Sequence, residues 1–180
     1  MNKIVVLYKS KYGATKQYAQ LLKEKLNCDI WENKNVTVAQ LQPYDTIILG
    51  GGIYAGGIAG RSFLEKHYQE LKHKQLLLFG VGASPYDENA LKALRLKSEL
   101  KDIPLFYCRG AWNESVMSFK DKTLCSMLKK MVAKKDPATY EPWEAALAEA
   151  MQGGKFDWTD ETYLTPILNY INQHTKNEPR

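Results

Sequence analysis

Apolar runs alternate with helical patterns along this chain, and that alternation limits the folds open to it more than any other feature. Lys3–Tyr8 reads as a strand, as do Cys28–Trp31, Asp45–Leu49, Gln75–Val81 and Pro104–Cys108. Between the first two, Thr15–Leu26 has helical spacing, with Tyr18, Ala19, Leu22 and Leu26 on one face. Further helices are expected near Gly60–Leu71, over Glu88–Leu100 with Leu91, Leu94 and Leu96 supplying apolar surface, and over Thr159–Gln173. Strands that are apolar nearly throughout belong to parallel sheets covered on both faces. Right-handed crossovers leave few topologies, and an α/β doubly wound five-stranded sheet of order 2-1-3-4-5 fits best. Ligands in such sheets sit at the carboxyl ends of the strands, where the order switches between strands one and three.

The turn after the first strand reads Ser10-Lys11-Tyr12-Gly13-Ala14-Thr15. It gathers hydroxyls and one glycine in front of a helix N-terminus. The first helical N–H groups lack partners and the helix dipole is positive there, so this is a ready anion site. Ser10 and Thr15 hydroxyls can donate to such an anion, Gly13 lets the backbone approach it, and Lys11 is expected to point to solvent. An ordinary capped helix start would carry the same residue types.

Two more loops follow apolar strands: Gly50-Gly51-Gly52-Ile53-Tyr54-Ala55-Gly56-Gly57 and Gly80-Val81-Gly82-Ala83-Ser84-Pro85-Tyr86. Together the three loops resemble those of the flavodoxins. Ser-x-Tyr-Gly-x-Thr is similar to the flavodoxin phosphate loop, Ser/Thr-x-Thr-Gly-x-Thr, with Tyr12 where the pattern has Thr. The resemblance implies a non-covalently bound FMN, its phosphate on Ser10, Lys11, Tyr12, Gly13, Ala14 and Thr15. Its ring would lie against Ile53, Tyr54, Ala55 and Gly56, and its pyrimidine edge against Gly82, Ala83, Ser84, Pro85 and Tyr86. Tyr54 is the leading aromatic for the ring; Tyr86 and Trp112 compete for a second position. Glycines at 56 and 57 would ease a peptide flip against the flavin. Gly50-x-Gly52-x-x-Ala55 also imitates a dinucleotide fingerprint, but it follows the third strand rather than the first.

The chain is expected to form one domain over residues 1–180, with an insertion over about 111–155. In it, Phe119–Lys135 reads as a helix with Phe119, Leu124, Met127, Leu128, Met131 and Val132 among Lys120, Lys122, Lys129, Lys130, Lys134 and Lys135. Pro137 stops it, and a second helix runs from Pro142 to Met151, ending at Gly153-Gly154. A lysine-rimmed apolar helix packs on the domain and shows lysines to water, or contacts an anionic membrane or a partner; whether the insertion also lies over the flavin as a lid is left open by the pattern. Its place after the fifth strand resembles the quinone-dependent protoporphyrinogen oxidase branch of the flavodoxin superfamily. That branch implies an enzyme of haem biosynthesis passing electrons to a membrane quinone.

Function is therefore expected to be redox: electron transfer to a partner protein, or small FMN-dependent oxidoreduction with a small-molecule or quinone acceptor. A module that has lost FMN and only binds partners is the third reading. No catalytic acid–base pair or nucleophile triad stands out, which suits chemistry carried by a cofactor. His67, His73 and His174 are dispersed, Cys108-Arg109-Gly110 lacks phosphatase-loop spacing, and Cys125 reads as packing. Cys28, Cys108 and Cys125 have no metal spacing, so no metal is expected; neither is nucleic acid. The N-terminus runs directly into a strand without a leader, and no stretch is apolar for the length of a bilayer, so a cytoplasmic location is expected, with the inner membrane face in reach. A net charge of +5 departs from the acidic electron-carrier flavodoxins; it suits anionic partners or a negative membrane surface, and equally a merely basic soluble domain.

Overall fold

The computed structural model describes residues 2–54, 56–96, 100–152 and 154–175. Its central sheet contains β1 (Ile4–Lys9), β2 (Asp29–Glu32), β3 (Thr46–Tyr54), β5 (Gln75–Gly82) and β6 (Leu105–Arg109), ordered β2-β1-β3-β5-β6 and parallel throughout. This is the expected doubly wound order, with one addition. A two-residue strand, β4 (Gly57–Ile58), folds back antiparallel on the end of β3.

Alternate residues of the buried strands feed two cores. Val5, Leu7, Ile47, Leu49, Leu76 and Leu78 face one side, under α3 (Arg61–Leu71) and α4 (Glu88–Leu96), with the short α2 (Val38–Leu41) at its margin. Val6, Ile48, Leu77 and Phe79 face the other, under α1 (Ala14–Leu26) and α7 (Thr165–Thr175). Tyr18, Ala19 and Leu22 deliver α1 to that core, as the helical spacing predicts.

Most elements shift slightly from their expected boundaries, α5 (Phe119–Val132) for instance ending at Val132 rather than Lys135, and three boundaries depart further. Strand β3 runs through Gly50–Gly52 to Tyr54 instead of stopping at Leu49. Two of those glycines are packing residues: a Cβ on Gly50 would lie 2.0 Å from the Phe79 ring, and one on Gly51 would lie 2.0 Å from the Ala59 carbonyl oxygen. Helix α4 is described only to Leu96; the remainder of the expected Glu88–Leu100 helix includes residues 97–99, outside the described set, and Leu100 is a turn. The last helix starts at Thr165, preceded by a 3-10 turn over Glu161–Leu164.

The excursion after β6 is closed at its neck by an antiparallel pair, β7 (Ala111–Asn113) and β8 (Lys155–Asp157), which the sequence did not announce. Within it lie α5 (Phe119–Val132) and α6 (Pro142–Met151). Asp121, Cys125, Leu128 and Val132 share the inward stripe of α5 at i, i+4, i+7 and i+11. Buried Glu144 joins the helices: its carboxylate takes the Lys135 ammonium, and it accepts the Glu141 N–H at 3.0 Å in a capping box. The expected end of α6 at Gly153 lies outside the described residues.

Candidate functional site

The turn between β1 and α1 is built for close approach. Gly13 precedes the helix at φ +101°, a conformation L side chains rarely adopt, and a Cβ there would meet no heavy atom within 4 Å. The Gly13 N–H donates to Ser10 Oγ at 3.1 Å, no side chain caps the helix, and its first turn holds no acid. The positive end of a 13-residue helix is therefore left open in front of Gly13. Thr15 is buried at its start.

Lys11 and Tyr12 depart from expectation. The Lys11 ammonium lies 2.6 Å from Asp121 Oδ2, and the Tyr12 hydroxyl donates to the same oxygen. The Ser118 N–H donates to the Tyr12 hydroxyl at 3.1 Å, and Ser118 Oγ accepts the Asp121 N–H at 3.3 Å, capping α5. The first loop is thus fastened to the insertion. Hydrogen bonds from Lys11 and then Tyr12 hold the nearly buried Asp121 carboxyl below its ordinary range, and Asp121 in turn raises Lys11.

The other two loops wall one cavity of about 520 Å³. Ile53 and Gly56 come from the second loop; Gly82, Ala83, Ser84 and Pro85 come from the third. Tyr107 and Trp112 add an aromatic side, and α4 closes another with Ala90, Leu91 and Leu94. The insertion forms the roof: Cys125 and Leu128 from α5, Trp143, Ala146 and Leu147 from α6. Three consecutive carbonyls of the third loop are held from the β6 side. Gly82 O accepts the Gly110 N–H at 2.7 Å, Ala83 O accepts Arg109 Nε at 3.0 Å, and Ser84 O accepts the Tyr107 hydroxyl. Burial raises the Tyr107 phenol above its ordinary value. The buried Trp112 Nε1–H has no hydrogen-bond partner among the described residues, an unmet donor on the cavity wall.

Tyr54 is 55% exposed and outside the lining; Lys11 Nζ stands 5.9 Å from its ring centroid. Tyr86 is 56% exposed and edge-on to Tyr107, whereas its competitor Trp112 lines the cavity. Ala55 lies outside the described residues. First-loop residues do not line the cavity but adjoin it: a Cβ on Gly110 would stand 3.4 Å from Ala14 Cβ and 3.6 Å from Gly82 O. Gly56 has φ +75°, the freedom that a turn there requires. Sequence reasoning missed Tyr107 and Trp143 and read Cys125 as packing alone. Period-two alternation along β6 could have flagged Tyr107; nothing local marks Trp143.

Burial pushes the Cys108 thiol up to about 12 and the Cys28 thiol up to about 11, so both are poor nucleophiles. No group of metal-ligating side chains occurs among the described residues, nor does any described helix have the length and apolarity to cross a membrane.

The sequence of residues 5–139 matches the flavodoxin domain family. This chain belongs to that family. The match runs past β6 and through α5, so it takes in the α5 part of the roof, Cys125 and Leu128, and ends before α6. No curated protein matches. Among solved structures, the flavodoxin, WrbA-like protein of Agrobacterium tumefaciens is 23% identical over 50% of this chain and 64% of its own, with a TM-score of 0.40. Oxidised flavodoxin 2 of Bacillus cereus is 20% identical over 82% and 98%, with a TM-score of 0.42. A flavoprotein of Lactobacillus acidophilus NCFM in complex with FMN is 15% identical over 61% and 93%, with a TM-score of 0.43.

Proposed function

We propose that this flavodoxin-domain protein binds FMN non-covalently and acts as a redox protein, an electron carrier or a small FMN-dependent oxidoreductase. The observation that carries this reading is a cavity walled by both the second and the third loop, beside an uncapped helix N-terminus. The residues present fit the group. About 520 Å³ is within the span of small-molecule sites, the lining is mostly apolar and aromatic, and Trp112 Nε1 offers an unmet donor.

In this reading the backbone from Ser10 to Thr15 and the Ser10 hydroxyl hold the phosphate. Ile53 and Gly56 bound the ring on one side, and the loop from Gly82 to Pro85 on another. Tyr107 and Arg109 keep the third loop rigid by occupying its carbonyls, and Trp143, Leu128 and Leu147 exclude water from above. Bound FMN supplies electron storage and transfer, which this set of side chains cannot provide alone. Anaerobic reduction of the FMN-loaded protein, followed by mixing with a soluble one-electron acceptor, tests the role. Full reoxidation with flavin retained supports it; a protein that retains no flavin on desalting leaves only the partner-binding reading.

One surface favours a finer version. The outer face of α5 exposes Phe119 (85%), Met127 (59%) and Met131 (61%) beside exposed Lys120, Lys130 and Lys134. Two acids of this region are paired with lysines, Asp121 with Lys11 and Glu114 with Lys129. Such a face suits the surface of an anionic bilayer, and hence a membrane-borne quinone acceptor, as in quinone-dependent protoporphyrinogen oxidation. Co-sedimentation with anionic but not neutral vesicles, together with quinone-dependent turnover of protoporphyrinogen, would support it. Equal partitioning to both vesicle types, or no turnover, would leave a soluble redox partner.

A further inference from the structure

The roof of the cavity and the anion site at the first loop are joined at one atom. Asp121 Oδ2 accepts both the Lys11 ammonium and the Tyr12 hydroxyl, and the Asp121 side chain is 8% exposed. One turn and two turns further along the same stripe of α5 stand Cys125 and Leu128, both on the cavity wall. Asp121 thus ties the first loop to the helix that carries part of the roof. Lys11 is a cation of the first loop, and its ammonium is held on the insertion rather than turned toward the helix N-terminus.

We propose that Asp121 couples the roof to the first loop, with a phosphate bound at that loop and the Asp121 carboxylate competing for the Lys11 ammonium. The inference rests on the FMN reading and adds a direction to it: phosphate binding loosens the α5 anchor, and an anchored α5 weakens phosphate binding. Coupling of this kind is reciprocal. Asp121 is a positioning residue; it need not touch the flavin.

The test compares FMN with riboflavin, which lacks the phosphate, as ligands of the wild type, Asp121→Asn, Lys11→Gln and the double variant. Asp121→Asn keeps the shape and removes the charge, so the preference for FMN over riboflavin rises by roughly tenfold, within the usual span of coupling between sites. Lys11→Gln alters a half-exposed side chain, leaves the fold intact, and lowers that preference. In the Lys11→Gln background, Asp121→Asn no longer changes the preference. A purely structural Asp121 would shift both ligands equally, and an unchanged preference in either single variant overturns the inference. A second readout needs no flavin. Alkylation of Cys125 quickens several-fold when inorganic phosphate is added to the wild type, relative to chloride at equal ionic strength, but not in Lys11→Gln. Equal rates with both salts overturn the coupling. A wild type that binds neither flavin, by contrast, defeats the FMN reading itself.

Discussion

Tyr107→Phe isolates one of the three hydrogen bonds that hold the third loop. The ring stays, with its edge-to-face contact to Tyr86 at a centroid separation of 6.1 Å, and only the hydroxyl that donates to the Ser84 carbonyl is lost. A typical intramolecular hydrogen bond contributes about 1 kcal/mol net, and a part-buried carbonyl left without a donor raises the cost to about 1–3 kcal/mol. For a chain of this size each kcal/mol lowers Tm by roughly 2–4 °C, so a drop of about 2–12 °C is expected. If the bond matters most when the loop meets its ligand, FMN affinity falls about tenfold, the equivalent of roughly 1.4 kcal/mol. Thermal unfolding by circular dichroism and an FMN titration followed by absorbance read both quantities. Tyr86→Phe is the control, because Tyr86 is largely exposed and a surface change of this kind stays within about 0.5 kcal/mol. Unchanged stability and affinity in Tyr107→Phe, or equal losses in both variants, would refute the carbonyl clamp.

Further predictions concern the glycines and pH. Gly51→Ala brings a Cβ within 2.0 Å of the Ala59 backbone oxygen, which no side-chain rotation relieves, and should cost more than about 3 kcal/mol in urea unfolding. Gly52→Ala, one residue on, meets nothing within 4 Å and should leave stability unchanged or raise it by about 0.5 kcal/mol. Gly13→Ala places a side chain at φ +101° in open space, so it should lower stability by about 1–2 kcal/mol through backbone strain and weaken FMN binding more than riboflavin binding. The folded Asp121 carboxyl titrates below its unfolded value, so its contribution is present above about pH 4 and fades as pH falls through the lowered folded value. The stability difference between wild type and Asp121→Asn should accordingly be flat from pH 5 to 7 and shrink below about pH 4; a difference that grows on acidification would contradict the Lys11–Asp121 pair.

The sheet was legible because parallel strands buried on both faces must be apolar almost throughout, and Val5–Val6–Leu7, Ile47–Ile48–Leu49 and Leu76–Leu77–Leu78 are. The first loop was legible for a related reason: a helix start after a buried strand has few solutions, and Gly13 adopts the positive φ that its residue type permits. Local signals failed where contacts are long-range. Lys11 reads as a solvent-facing lysine until a carboxylate 110 residues away reaches it. Gly50 and Gly51 read as loop residues, since nothing local shows that Phe79 and Ala59 occupy the space their side chains would need. That the insertion forms a roof was one open reading among several, because α5 presents apolar residues on both its faces and its pattern does not say which one covers a cavity. The β7–β8 neck was missed because each strand has three residues, too short for alternation to register.

The most direct test is a titration of the purified protein with FMN, read by visible absorbance and tryptophan fluorescence together. The cavity predicts saturation at one FMN per chain, a flavin spectrum that survives desalting, and quenching of Trp112 and Trp143, both of which line it. A protein that stays colourless in excess FMN with unaltered tryptophan emission would contradict flavin binding in that cavity.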